Sequence, residues 1–279
     1  MATTFHAWRI IVYTPVWPIE MAITDMTNSD SCVTVMIANV LMENRASQDL
    51  LSLISEKDPD ILFIVENDSW WSRELHPVTS GYEYSIDQPQ ENTYGLLFMT
   101  RLVAQDVQLR QLTDPSIPSI RASLQLASGQ VFNFFGLHPK PPRLGQDTTL
   151  RDHELMVVAD EVRGENRPSI VGGDLNDVAW SHTTRLFKRV SRMLDPRQGR
   201  GLFSSYNAKH SWLRWPLDHL FATDDFELSQ LAVLPYVGSD HFPVFAEFCF
   251  RDGVANDNKS QDQMHGDDRG EMRETLESN

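Results

Sequence analysis

Eight polar residues stand where apolar runs begin or stop, and their types suit one kind of chemistry. Asn39 follows VTVMIA, Glu66 follows ILFIV, His138 follows VFNFFGL, and Asp174 and Asn176 follow SIVGG. Asp218 opens the run DHLFA, and Asp240 with His241 precedes FPVFAEF. Charged groups are rarely buried without a partner, because removing them from water is costly. The carboxylates of Glu66, Asp174 and Asp240, with the amide oxygens of Asn39 and Asn176, are hard oxygen donors of the kind Mg²⁺ or Mn²⁺ accepts. His138 and His241 can donate to a phosphate oxygen or exchange a proton near neutral pH. A zinc site would want more nitrogen or sulfur than this set supplies. Taken singly, each residue has an ordinary reading as a turn or a helix cap. Their recurrence at strand ends favours one shared cleft.

The elements that must position them are legible as alternating strand and helix signals. VTVMIA at 33–38 reads as a strand, and SQDLLSLISEKD at 47–58 as a helix with Leu50, Leu51 and Ile54 at helical spacing and Pro59 closing it. ILFIV at 61–65 is a buried strand, YGLLFM at 94–99 another, and 121–137 a hairpin turning at Ser128–Gly129. A helix is predicted over 148–164, with Asp147 as cap candidate and Gly164 as stop, and a strand over 168–176. Three more strands follow within 217–250. This order predicts an α/β sandwich with mixed sheets.

Composition narrows the possibilities. With 279 residues, 41% of them hydrophobic, the chain can bury a substantial core. A net charge of −15 disfavours strong nonspecific attraction to nucleic acid or anionic membrane. Cys32 and Cys249 lie in apolar runs and are expected to be buried free thiols, a bridge between them being the lesser reading. No apolar run is long enough for a transmembrane helix, so the chain as given is expected to be soluble, by default cytoplasmic, and monomeric. Residues 1–30 read as an irregular leader, 31–250 as one catalytic domain, and 251–279 as a disordered acidic tail with eight acids and four bases. Against the acidic background, 178–217 holds eight bases and one acid. Its Arg185, Lys188, Arg189 and Arg192 stand at helical spacing, as a solvated face or a phosphate-attracting rim.

In their order, the segments AN, E, LHP, GDLN, LDH and SDHFPV resemble the motifs of the endonuclease/exonuclease/phosphatase superfamily over roughly residues 32–250. GDLNDVAWS and LHPKPP look most like a bacterial branch whose members often carry N-terminal membrane helices. The resemblance implies a four-layer α/β sandwich, two mixed sheets face to face with helices outside, and a Mg²⁺- or Mn²⁺-dependent phosphoesterase. It implies Glu66, Asn39 and Asp240 as metal ligands, and Asp174 as the group that prepares the attacking water. Asn176 and His138 would contact the scissile phosphate, Asp218 would pair with a histidine, and His241 would be base or phosphate contact. Val65 departs from the family, where many members have Gln before the glutamate, and GDLN replaces the frequent GDFN. The substrate is expected to be a phosphate ester, nucleic acid among the candidates. The rival readings are a phosphatase or phospholipase acting on lipid or inositol headgroups, and a non-catalytic module that kept the fold.

Overall fold

Alternation along the strands decides which side of each sheet meets which layer. In β1 (Cys32–Asn39), Val33, Val35 and Ile37 face one core while Met36 and Ala38 face another. The computed structural model describes residues 8–27, 29–141, 148–251 and 266–277. Within them, β1 pairs parallel with β2 (Ile61–Val65) and antiparallel with β11 (Val244–Phe250). β10 (Phe226–Val233), β4 (Leu96–Thr100) and β3 (Tyr84–Gln88) complete a sheet ordered β10-β11-β1-β2-β4-β3. The second sheet runs β5 (Val103–Arg110), β6 (Ser119–Gln125), β7 (Val131–Leu137), β8 (Ser169–Asp174) and β9 (Asp218–Ala222), with β7 and β8 parallel.

The two sheets pack face to face through Val35, Phe63, Phe98, Phe134, Ile170 and Leu220. Each such side chain, fully buried, contributes roughly 1.5–3 kcal/mol. Helices α1 (Gln48–Lys57) and α2 (Ser69–Thr79) cover the outer face of the first sheet, seated on Leu62, Ile64 and Leu97. Helices α3 (Thr149–Glu165) and α4 (His182–Ser191) cover the second through Phe135, Val171 and Phe221. The four expected layers are therefore present. The expected cap at Asp147 lies outside the described residues, and α3 runs on to Glu165, with Asn166 in the left-handed conformation after it.

Three expectations need correcting. Cys32 and Cys249 are not free thiols: they face each other in the β1–β11 register and form a disulfide. The tail is not disordered throughout, because residues 266–277 form helix α5 (Gly266–Glu277) against α3 and α4. Met272 and Leu276, four apart, meet that core, and the buried Asp268 accepts two hydrogen bonds from Arg189. Four bases of the basic segment, Lys188, Arg189, Arg197 and Arg200, form no open rim, whereas Arg192, Lys209 and Arg214 are exposed. Lys188 is buried and donates to both oxygens of Glu20, and Arg197 is buried against Asp195. Arg200 donates to the carbonyls of Pro196 and Met21. These cations bind the protein to itself.

The leader, 8–27 among the described residues, is irregular apart from short helical turns, yet it is seated on the domain. The Tyr13 hydroxyl donates to the Ala179 carbonyl, Glu20 accepts from the Asp195 amide, and Gly199 donates to the Val12 carbonyl.

Candidate active site

Strand ends meet at one rim of the sandwich. Asn39 lies opposite Val65, which brings the ends of β1 and β2 level. Leu137 opposite Gly173 does the same for β7 and β8, and Asp174 pairs directly with Asp218. Because β11 runs antiparallel to β1, with Val244 opposite Ile37, the loop before it brings Asp240 and His241 to the same rim. Two glycines allow the close approach. A Cβ on Gly95 would lie 1.8 Å from the Asn67 carbonyl, in the turn that follows Glu66. One on Gly173, at φ 144°, would lie 1.9 Å from the Leu137 carbonyl.

The result is a cleft of ≈ 590 Å³ lined by Asn39, Glu66, His138, Asp174, Asn176, Asp240 and His241. The eighth expected residue, Asp218, stands behind His241 and accepts from its Nδ1 at 2.7 Å. All eight sequence-derived residues therefore come together.

Their hydrogen bonds fix who faces whom. Asn39 Nδ2 donates to Glu66 Oε1 at 2.9 Å and to Asp174 Oδ2 at 3.0 Å, while its Oδ1 accepts from the Leu41 amide at 2.9 Å. In this orientation Asn39 aims two carboxylates, and its own oxygen is already engaged. The Met42 amide donates to Glu66 Oε2 at 3.1 Å. Asp174 Oδ1 accepts from the Asn176 amide, and Asn176 Nδ2 donates to the Pro139 carbonyl, so the GDLN turn is tied to the LHP turn. Asp174 Oδ2 also lies 3.6 Å from His241 Nε2 and 4.0 Å from His138 Nε2.

Burial and charge set the protonation states. Burial pushes the Glu66 carboxyl up, opposed by the bonds from Asn39 and Met42 and reinforced by Asp174 and Asp240. Burial also raises Asp174, against the pull of His241. It lowers His138, which stays neutral, with Nδ1 buried and unpartnered. At His241 burial again opposes the charge, but Asp218 and Asp174 outweigh it and carry the imidazole up to about 10.

Carboxylates concentrated in one partly dry cleft are a fit for a divalent cation. The donors are hard oxygens, and the charges of Asp174 and Asp240 add to the burial that raises Glu66. Asp174, Asp218 and His241 bring ligand atoms within 4.8 Å of one another, but the Asp218–His241 bond already joins two of them. Glu66 and Asp240 also line the cleft, and the charge of Asp240 acts on the Glu66 carboxyl.

Sequence reasoning missed four neighbours. Arg151, buried at the start of α3, reaches the cleft and donates to the Asn176 carbonyl at 3.1 Å, with Asp177 3.5 Å away. Local pattern gave it no signal, since it stands among Leu150, Asp152, His153 and Glu154. His219, fully buried, donates from Nε2 to the Asp177 carbonyl and receives Arg197 at Nδ1. Burial and that arginine depress it to about 3, so it is neutral. Tyr206 and Trp215 line the cleft through a pairing no local pattern announces: Tyr206 bridges both Trp215 and His241.

A sandwich of two mixed sheets with this rim defines the endonuclease/exonuclease/phosphatase class. Residues 36–241 match the Endonuclease/Exonuclease/phosphatase family, and the chain belongs to it. Members of that family are in general divalent-metal-dependent phosphoester hydrolases. Among solved structures, the chain is similar to the human Nocturnin catalytic domain with bound sulfate (TM-score 0.63, 18% identity, covering 82% of this chain and 97% of that one). It is similar to D. rerio TDP2 complexed with single strand DNA product (0.62, 15%, 78% and 99%). It is also similar to an endonuclease/exonuclease/phosphatase family protein from Bacteroides thetaiotaomicron (0.61, 17%, 79% and 98%). At these identities the likeness is one of fold. A comparison with curated protein sequences finds no match.

Proposed function

We propose that the protein hydrolyses phosphodiester bonds with Mg²⁺ or Mn²⁺. The observation that carries this reading is the convergence of Glu66, Asp174 and Asp240 with the Asp218–His241 pair in one cleft. Glu66 and Asp240 would hold the metal, and Asn39 would join them if its amide turned over. When bound, the metal polarises the phosphoryl group and stabilises the leaving oxygen. Asp174, anchored through Oδ1 with Oδ2 towards the histidines, would accept the proton of the attacking water. His241, oriented by Asp218, would place an N–H on the phosphate, as would His138 Nε2 and the second amide N–H of Asn176.

The disulfide supports an oxidising compartment over the default cytoplasmic placement. The internal engagement of Lys188, Arg189, Arg197 and Arg200 weakens the case for a long polyanionic substrate, which needs a cationic track. The test is hydrolysis of bis(p-nitrophenyl) phosphate, plasmid DNA, RNA and phospholipids, with Mg²⁺ and with EDTA. Glu66→Gln keeps the side-chain shape and is expected to cost roughly 10²–10³ in kcat. Undiminished turnover by that variant, or hydrolysis indifferent to EDTA, would overturn the reading.

A further inference from the structure

Large apolar side chains are left in water on the leader and on a loop whose base lines the cleft. Among the described residues they include Trp8, Val16, Ile19 and Ile23 on the leader, and Trp212, Leu213 and Trp215 on the loop between α4 and β9. Val16 is 80% exposed, Trp212 79% and Trp8 67%. The two segments meet around Trp180, whose ring lies 6.4 Å from Tyr13 and 6.0 Å from Trp215. The loop is a hairpin, closed where the Tyr206 amide donates to the Trp215 carbonyl and braced where the Ala208 amide donates to the Asp240 carbonyl. Its base is thus part of the cleft and its tip projects.

Charge narrows what could cover this surface. Residues 8–19 contain no acid and one base, and 205–217 contain no acid, with Lys209 and His210 before Trp212 and Arg214 between Trp212 and Trp215. In a chain of net charge −15, these two stretches carry no negative charge to repel an anionic surface. A polynucleotide would also meet aromatic rings here, but Lys188, Arg189, Arg197 and Arg200, which could have extended a track for it, are engaged internally. Tryptophan with aliphatic neighbours and flanking bases is the composition that settles at the boundary between lipid headgroups and acyl chains.

We propose that the leader and the 205–217 hairpin form a docking surface for a lipid bilayer carrying anionic headgroups. Trp212, Leu213, Trp8 and Val16 enter the interface, Lys209 and Arg214 lie at headgroup level, and the cleft opens at the membrane plane beside Trp215.

The test is binding without turnover, so it stands or falls separately from the hydrolytic reading. The full chain in EDTA is sedimented with phosphatidylcholine vesicles and with phosphatidylcholine–phosphatidylglycerol vesicles, and tryptophan emission is followed. Sedimentation with the anionic vesicles and a blue shift are expected. Trp212→Ser with Leu213→Ser, and separately Trp8→Ser with Val16→Ser, are each expected to weaken binding ~10-fold or more at an unchanged melting temperature. Lys209→Gln with Arg214→Gln should reduce the salt dependence of binding, a readout independent of the apolar variants. Absence of vesicle binding, or binding untouched in both serine variants, would overturn the proposal. Equal binding to zwitterionic vesicles would overturn the role of the two bases. Single-stranded oligonucleotide binding or self-association lost on the same serine substitutions, without vesicle binding, would assign the surface to that partner instead.

Discussion

Asp218 takes part in two pairings at once: it faces Asp174 across the β8–β9 ladder and accepts from His241 Nδ1 through its side chain. Two carboxylates on paired positions repel unless a cation stands between them, and the His241 ring supplies it, 2.7 Å from one and 3.6 Å from the other. Asp218→Asn keeps the shape and removes the charge that holds the imidazole in place. The expected outcome is a fall in kcat of roughly 10²–10³ with KM little changed, measured on a soluble phosphodiester. A second residue reports on pH away from the cleft. Glu154 on α3 is buried, one of its oxygens has no partner, and burial raises its carboxyl to about 8. The folded state therefore keeps a proton that the unfolded chain releases at its ordinary 4.5. The stability this confers is complete below 4.5 and declines as pH rises through 8. Glu154→Gln removes that dependence. Urea denaturation should show the variant gaining roughly 1–3 kcal/mol on the wild type between pH 5 and pH 8.5.

At the scale of elements, the leader and the C-terminal helix both hold down α4 and the loop that follows it. Glu20→Ala would strand the Lys188 ammonium in the interior and is expected to cost roughly 3–5 kcal/mol, measured by urea denaturation. The pair Glu20→Leu with Lys188→Met should recover most of the loss, since no charge then remains buried. Deleting 266–277 removes the Asp268 partner of Arg189 and the Met272 and Leu276 contacts, and should lower stability by roughly 1–3 kcal/mol. These contacts mark where the sequence ceased to be legible. The central strands announced themselves, because β1, β2, β4 and β8 are apolar on both faces. β3 and β5 did not: they are edge strands, largely exposed, and the short alternation of Val107 and Leu109 in β5 is broken by a bulge between Ala104 and Asp106. Helix α2 was hidden by Trp70–Trp71 and Pro77, although Asp68 caps it by accepting from both tryptophan amides. Helix α5 has two apolar anchors and two glycines, so its order comes from tertiary pairing and not from local pattern. The eight site residues were legible because each interrupts or bounds an apolar run. Arg151, Tyr206 and His219 were not, since each acts through a partner distant in sequence.

For the whole molecule, the acidic net charge and the basic segment cancel less than their sequence suggests, since Lys188, Arg189 and Arg197 each already face a carboxylate. The Cys32–Cys249 disulfide adds a covalent tie between the first and last strands of the domain. Its reduction is expected to lower the melting temperature, by the equivalent of roughly 2–5 kcal/mol. Its further consequence is mechanical. A load applied between the two chain ends passes through Cys32 and Cys249 and bypasses the 217-residue span between them. Held in optical tweezers, the oxidised protein should yield only its leader and tail, while the sandwich and its cleft carry no tension. After reduction, the first and last strands can be pulled apart and the chain should lengthen by roughly 700 Å more as the span pays out.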